Sequence, residues 1–194
     1  MPPKVKITKE QIVQTALFLL RQNGEGALNA RSIAEALGCS TQPIFSNFAT
    51  MEALQDAVVR AAYELYLGFL DREAKSGKYP KYKSFGMAYI RFAKEEKELF
   101  KLLFMCDRGG KELAPTVDFE ASVEMIMQAN GVTRERARLM HLEMWSCVHG
   151  IGTMLATSFL ALDGELVSNM LTDIYQGIRA RHLSGEENDG SYQN

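Results

Sequence analysis

Apolar residues recur at the three- and four-residue spacing of an amphipathic helix along almost the whole chain, and no stretch shows the sustained alternation of a half-buried strand. Ile12, Ala16 and Leu20 illustrate this stripe. Residues suited to capping divide the pattern, namely Thr8, Asn29, Ser40, Thr50, Thr133 and Asp163 at helix starts and Gly24, Gly38 and Gly131 at ends or turns. The sequence therefore predicts an all-α chain of about nine helices.

The predicted helices span about residues 8–24, 29–37, 40–48, 50–73, 82–94, 96–105, 115–130, 133–162 and 163–183. Residues 144–162 contain no Asp, Glu, Lys or Arg, but several small and polar residues lie among them. A membrane span needs about 20 predominantly apolar residues. We therefore expect a buried helix here and no membrane partner.

Charge is distributed unevenly along the 194 residues, whose formal net charge is −2. Residues 1–50 carry five basic and three acidic side chains, whereas the remainder carries 17 basic and 21 acidic ones. This balance excludes a uniformly basic nucleic-acid coat protein, and it leaves the amino-terminal end suited to an anionic partner. The three cysteines show no CxxC spacing and the amino terminus has no apolar signal segment, which together predict a cytoplasmic protein.

The segment from residue 30 to residue 54 combines two short amphipathic helices with a tight turn at Gly38, the arrangement of a helix-turn-helix. At about 100° per residue, Ile44 and Phe48 fall on one side of the second helix, and Gln42 and Ser46 fall opposite. The outward side carries hydroxyl and amide groups without a carboxylate, which suits a groove lined by phosphates. An ordinary helical hairpin with solvated polar residues would show the same short pattern.

The wider pattern resembles the amino-terminal domain of the TetR (tetracycline-repressor-like) family of transcriptional regulators. The matching residues are Ile33, Ala34, Gly38, Ser40, Ile44, Phe48, Glu52 and Leu54. The resemblance covers residues 8–60 closely and the rest of the chain through its length and helical body. It implies a helix-turn-helix DNA-binding domain over residues 1–52 and a helical effector-binding and dimerisation domain over residues 53–194.

The resemblance implies a ligand-responsive regulator, a repressor that binds a near-palindromic operator in double-stranded DNA as a homodimer. The candidate DNA-binding residues are Arg31, Ser40, Thr41, Gln42, Pro43, Phe45, Ser46 and Asn47. Gln42 is suited to a bidentate contact with adenine, and Phe45 to a thymine methyl group.

Two positions depart from the family pattern. Phe45 stands where the family commonly has a Tyr that touches a phosphate, and Met51 stands where a Lys commonly opens the next helix. Both changes remove polar phosphate contacts, which set much of non-specific DNA affinity. An alternative is therefore a TetR-like protein with weakened DNA binding that acts through a protein partner or as a ligand binder.

The resemblance also implies a small-molecule pocket and a homodimer through the last two helices. Aromatic, Met and His residues at helical spacing are the candidate ligand-binding set: Phe85, Tyr89, Phe92, Phe104, Met105, Met125, His141, Trp145 and His149. Most of such a stripe packs in a core, and a minority would line a cavity for an apolar or amphipathic effector. Gly150, Gly152 and Ala156 would let helices approach closely in a dimer seam.

Nothing in the sequence predicts catalysis. His141 and His149 are eight residues apart, beyond the usual zinc-ligand spacing, and no Asp, Glu or Cys set completes a site. No Gly-rich phosphate loop, Ser–His–Asp arrangement or pair of carboxylates is present. We therefore expect no enzymatic activity, no cofactor and no metal, and rank a helical enzyme or carrier last among the alternatives.

Overall fold

A computed structural model describes residues 7–106 and 117–184, and within these ranges the secondary structure is helical, with no strand. The α-helices are α1 (Lys9–Asn23), α2 (Ala30–Ala36), α3 (Gln42–Asn47), α4 (Met51–Ser76), α5 (Lys81–Glu95), α6 (Lys97–Phe104), α7 (Val117–Asn130), α8 (Arg134–Ala156) and α9 (Gly164–Leu183). A short 3-10 helix, Glu25–Ala27, follows α1 and was not predicted. The all-α prediction is confirmed.

The amino-terminal helices α1, α2 and α3 enclose a small apolar core together with the start of α4. Ile12, Ile33 and Ile44 are completely buried, and Leu54 and Val58 bring the first turns of α4 into the same cluster. The 26 residues of α4 continue past this core into the body of the molecule. The helix α4 begins at Met51, so the predicted domain boundary between residues 52 and 53 lies inside its first turn. The same helix therefore belongs to both regions.

The body is built from α4 to α9, with α5 packed between α4 and α8. Phe92, Phe100 and Leu103 are completely buried at its centre. A smaller buried cluster, formed by Val123, Ile126, Ala137 and Met140, joins α7 to α8. No helix of residues 7–106 and 117–184 has the length and apolar character needed to cross a lipid bilayer.

Most predicted capping residues act as predicted. Thr8 and Gln11 form a reciprocal capping box at the start of α1. The side chains of Asn29, Thr50, Thr133 and Asp163 accept hydrogen bonds from backbone N–H groups at the starts of α2, α4, α8 and α9. The helix α3 ends near Phe48 as predicted, but the predicted N-cap Ser40 was wrong, because the N-cap is Thr41, whose side chain makes no capping hydrogen bond.

The predicted end of α8 at residue 162 was also wrong, because the helix ends at Ala156. Ser158 adopts a positive φ of 57°, and the N–H of Phe159 donates to the carbonyl of Met154 at 2.9 Å. The N–H of Ser158 donates to Leu155 in the same turn. This pair of bonds is a Schellman termination, which glycine usually provides. With Ser at that position, the sequence pattern gave no stop signal.

Candidate DNA-binding face and ligand cavity

A short turn joins α2 to α3, and one side of α3 is exposed. Gly38 lies in the predicted turn with a positive φ of 65°, a conformation that costs a glycine little. The N–H of Cys39 donates to the carbonyl of Ala34 at 2.9 Å and closes the turn. These local interactions set the direction in which α3 leaves α2.

The two sides of α3 differ as the helical spacing predicted. Ile44 is fully buried and Phe48 is 7% exposed, so both anchor the helix in the amino-terminal core. Gln42 and Ser46 lie on the opposite side and are exposed. The Ser46 hydroxyl donates to the Gln42 carbonyl at 2.9 Å, whereas the Gln42 side-chain amide lies at the surface next to the helix amino terminus. Such a face can enter a groove without first breaking contacts with its own protein.

The other candidate DNA-binding residues lie around this face. Arg31, Ser40 and Thr41 are exposed, and Pro43 is half-buried in the first turn of α3. Asn47 is half-buried, and its amide donates to the carbonyls of Ile7 at 3.2 Å and Pro43 at 2.8 Å. Asn47 therefore ties the segment before α1 to α3, so its amide positions the helix instead of pointing outward.

The two positions that depart from the TetR pattern have different surroundings. The ring of Phe45 is 50% exposed on the outward side of α3. Met51 is half-buried and packs against the core at the start of α4. An exposed ring can contact a thymine methyl group or another apolar surface, but neither side chain can donate to a phosphate oxygen.

A cavity of about 770 Å³ lies in the body. Its lining comes from α4 to α9 and the loop before α5: Tyr66, Pro80, Tyr82, Lys83, Phe85, Gly86, Tyr89, Phe104, Phe119, Ser122, Ala129, His141, Leu142, Met144, Trp145, Val148, Leu171, Thr172, Tyr175 and Gln176. The volume is within the range of about 300–1,000 Å³ that is usual for drug-sized ligands. Exposed lining residues such as Leu142 and Gln176 bring the cavity to the protein surface.

Five of the nine candidate ligand-binding residues come together in this lining. They are Phe85, Tyr89, Phe104, His141 and Trp145. Their side chains come from three helices, α5, α6 and α8. Sequence spacing alone places residues on one face of one helix, whereas the packing of these helices brings the five side chains around one volume.

The other four candidates, Phe92, Met105, Met125 and His149, lie outside the lining. Phe92 is fully buried in the core, where its ring lies 5.4 Å from that of Tyr66. Met105 follows α6 and is exposed, and Met125 is half-buried on α7. His149 lies behind the lining, stacked on Trp145 with ring centroids 5.1 Å apart.

Two tyrosine–histidine hydrogen bonds connect α5 to α8. The Tyr82 hydroxyl lies 3.0 Å from Nδ1 of His141, and the Tyr89 hydroxyl lies 2.8 Å from Nδ1 of His149. Burial lowers the pKa of His141 to about 4 and also lowers the pKa of His149. It raises the pKa of both phenols. All four groups are therefore neutral near pH 7, and each phenol hydroxyl is hydrogen-bonded to an imidazole nitrogen.

Several lining residues were not predicted. Tyr82 lies seven residues before Tyr89 on the same face of α5, a spacing that could have indicated the second tyrosine–histidine pair. Lys83, Thr172 and Tyr175 have no comparable sequence signal, because they meet only when α5 and α9 pack together. In the part of the chain that the structure describes, no three His, Cys, Asp or Glu side chains converge into a group that could hold a metal ion.

The fold is that of TetR-family transcriptional regulators, with an amino-terminal helix-turn-helix followed by a helical domain. The structure of a protein of unknown function from Rhodococcus sp. RHA1 is similar with a TM-score of 0.70 and 20% identity, covering 91% of this chain and 97% of that chain. A TetR-like transcriptional regulator from the same organism has a TM-score of 0.59 and 12% identity, covering 96% of this chain and 100% of that one. Apo ActR from Streptomyces coelicolor has a TM-score of 0.56 and 18% identity, covering 93% of this chain and 98% of that one.

The sequence is also similar to that of a curated protein, the uncharacterized HTH-type transcriptional regulator Rv0681 of Mycobacterium tuberculosis. The two are 24% identical over 186 residues, covering 93% of this chain and 85% of that protein. No protein-family model matches the sequence. The expectation of a TetR-like fold is thus confirmed by the solved structures, and the sequence relative is a helix-turn-helix transcriptional regulator.

Proposed function

We propose that the protein is a cytoplasmic, ligand-responsive transcriptional repressor that binds a near-palindromic DNA operator as a homodimer. The observation that carries this proposal is the outward side of α3, where Gln42 and Ser46 are exposed while Ile44 and Phe48 anchor the opposite side. Its function is DNA binding and not catalysis.

The proposed DNA interface uses α3 as the recognition helix. Gln42 is the first residue of α3 and would contact an adenine edge in the major groove. Arg31 on α2, with Ser40 and Thr41 in the turn, lies nearby and supplies phosphate contacts. Two copies of α3, one from each subunit, would enter successive major grooves about one helical turn apart.

The proposed effector site is the cavity, and two structural connections support its coupling to the DNA-binding end. Tyr66 of α4 lines the cavity while the first turns of α4 lie in the amino-terminal core. Phe104 lines it at the end of α6, and Glu96 just before α6 binds Arg21 of α1 through two hydrogen bonds of 2.7 and 2.8 Å. A ligand that repositions α4 or α6 would shift the population of dimers with the spacing that an operator requires.

The proposed dimer interface is the outward side of α8 and α9. Leu139, Leu142 and Leu166 are about half exposed there, and Phe159, in the loop between the two helices, is 76% exposed. From the sequence we expected Gly150, Gly152 and Ala156 in the dimer interface. Gly152 and Ala156 are buried within the subunit, so the proposed interface does not include them. An added Cβ at Gly152 would lie 3.0 Å from the Phe100 ring, so this glycine serves intramolecular packing, whereas Gly150 is open.

Selection of bound fragments from genomic DNA tests the proposed DNA binding. We expect an enriched near-palindromic sequence with wild-type protein and about a tenfold or greater loss of affinity for that sequence in Gln42→Ala. The matched control is Gln55→Ala, an exposed glutamine on α4 that is outside the α3 face. Recovery of no enriched palindrome, or equal losses in both variants, would contradict the proposal.

Sedimentation velocity tests the proposed dimer. We expect Leu139→Arg to shift the protein toward the monomer, because it puts a charge in an apolar interface. Leu67→Arg is the control, since Leu67 is an exposed leucine on α4. A monomeric wild-type protein at micromolar concentration would contradict the interface.

The exposed ring of Phe45 favours one second function, action through a protein partner with weak DNA binding. An exposed apolar ring, at a position where the family commonly has a tyrosine hydroxyl, would suit a protein surface better than a phosphate backbone. The affinity for DNA, measured over a series of salt concentrations, distinguishes a repressor from a protein that acts through a partner. A repressor gives a steep fall in affinity with salt, whereas a slope near zero, or no binding at low salt, favours the partner.

A further inference from the structure

We propose that the cavity selects apolar ligands that carry a single anionic group, and that Lys83 binds that group at the cavity edge. This inference rests on the proposed effector site and names its ligand class. Lys83 is half-buried on α5 and lies among the described lining residues, next to the exposed Pro80 and Thr172.

The charge of the lining supports an anionic ligand. None of the described residues that line the cavity is Asp or Glu, and Lys83 is the one that carries a charge near pH 7, because burial keeps His141 neutral. A cationic ligand would therefore lose its hydration without gaining a carboxylate partner, which is costly in an apolar volume. A monoanion would gain an ammonium partner at the same step.

The ammonium of Lys83 has no ion-pair partner within 4.0 Å among the described residues. Its Nζ donates to Oγ1 of Thr172 at 2.7 Å and lies 5.2 Å from the ring centroid of Tyr79. The Thr172 hydroxyl in turn donates to the carbonyl of Ser168 at 3.0 Å. Thr172 thus holds the ammonium at the cavity edge without neutralising it, and two further N–H donors of the ammonium remain for a ligand oxygen.

The charges of the chain segment around Lys83 act in the same direction, although the exposed Asp173 follows Thr172 on α9. Lys78, Lys81 and Lys83 lie within six residues that contain no acidic side chain. Lys78 Nζ lies 5.1 Å from the same Tyr79 ring. The edge of the cavity at the start of α5 is therefore basic, while its interior is apolar and aromatic. An amphipathic organic acid matches both parts, with its apolar body inside and its anion beside Lys83.

Two fluorescent probes of nearly the same shape test this selectivity: anilinonaphthalene sulfonate, which is anionic, and N-phenylnaphthylamine, which is neutral. Trp145 is the one tryptophan of the chain and lines the cavity, so energy transfer from it reports binding at this site. We expect Lys83→Met to weaken the sulfonate about tenfold and to leave the neutral probe within about twofold of wild type. Lys83→Arg should keep the preference for the anion.

Lys81→Met is the matched control, because it removes the same charge from an exposed lysine of the same segment that does not line the cavity. Equal weakening by Lys81→Met and Lys83→Met, or equal weakening of both probes, would overturn the role of Lys83. If both probes bind with equal affinity and both weaken the binding of the protein to DNA, the proposed effector site is supported and the proposed anion selectivity is wrong. If neither probe accepts energy from Trp145, both the selectivity and the proposed effector site are wrong.

Discussion

The outward face of α3 and the contact between α5 and α8 use polar residues in opposite ways. Around α3, hydroxyl and amide groups lie at the surface, and the helix is held by buried apolar groups such as Ile44 and Phe48. Between α5 and α8, Tyr82 and His141 lie in apolar surroundings and bind each other. Changes to the polar side of α3 should therefore alter binding alone, whereas changes to the tyrosine–histidine pairs should alter stability as well.

The largest effect on the free energy of unfolding is expected on the buried side of α3. Phe48→Ala should lower the free energy of unfolding by about 3–5 kcal/mol, because it leaves a cavity in the small amino-terminal core. Phe45→Ala makes the same chemical change on the exposed side and should cost about 1 kcal/mol or less. Urea unfolding of both variants measures the difference. Equal losses would mean that the two sides of α3 are not distinct.

A smaller loss is expected from Tyr82→Phe. Removing the hydroxyl leaves Nδ1 of His141 without its hydrogen-bond partner in a buried position, which should cost about 1–3 kcal/mol of unfolding free energy. Tyr79→Phe is the control, because Tyr79 lies in the loop before α5 and is half-buried. If the two variants unfold at the same urea concentration, the hydrogen bond to His141 does not stabilise the body.

The pH dependence of stability tests the same pair without removing the phenol. His141 has a folded pKa of about 4, below the ordinary value of 6.5, so the unfolded chain binds a proton at higher pH than the folded protein does. The free energy of unfolding should therefore fall as pH drops from about 7 to about 5, by on the order of 1 kcal/mol. His141→Gln keeps a hydrogen-bonding group beside Tyr82 and should make this slope shallower, with the remainder due to His149, whose pKa burial also lowers. An unchanged slope in that variant would assign the effect to other groups.

The smallest stability effect is expected where the two regions meet. Arg21→Gln removes the ion pair with the partly exposed Glu96 and should cost at most about 1 kcal/mol. If the α1–α6 contact carries ligand coupling, the variant should nevertheless bind DNA with a weaker response to a cavity ligand. Lys75→Gln, which breaks an exposed ion pair within α4, is the control. If a cavity ligand changes the DNA affinity of Arg21→Gln as much as that of the wild type, α4 is the one remaining proposed connection between the cavity and the DNA-binding end.

The α3 face could be predicted from the sequence because its determinants are local. Helical spacing separates Ile44 from Gln42, and the positive φ at Gly38 needs a residue that adopts it at low cost. Asn47 shows the limit of this reasoning. Its spacing places it beside the outward face, but its amide binds the carbonyl of Ile7, which is distant in sequence.

The cavity could be predicted only in part. Phe85, Tyr89 and Trp145 were expected from their spacing and line it, whereas Phe92 has the same residue chemistry and packs in the core. The spacing of residues in the sequence predicts the direction of a side chain around its own helix. It does not predict which other helix that side chain contacts. Lys83 was missed for this reason, because the residue that holds it, Thr172, lies 89 positions later on α9.

The sequence by itself determined the helical class, most of the helix starts and the side of α3 that faces outward, because these depend on interactions within a few residues. Tertiary structure decided which aromatic residues line the cavity, that Gly152 packs inside the subunit and that α8 ends at Ala156. Those features depend on contacts between residues far apart in the chain, or on a backbone conformation at Ser158 that its residue type does not favour.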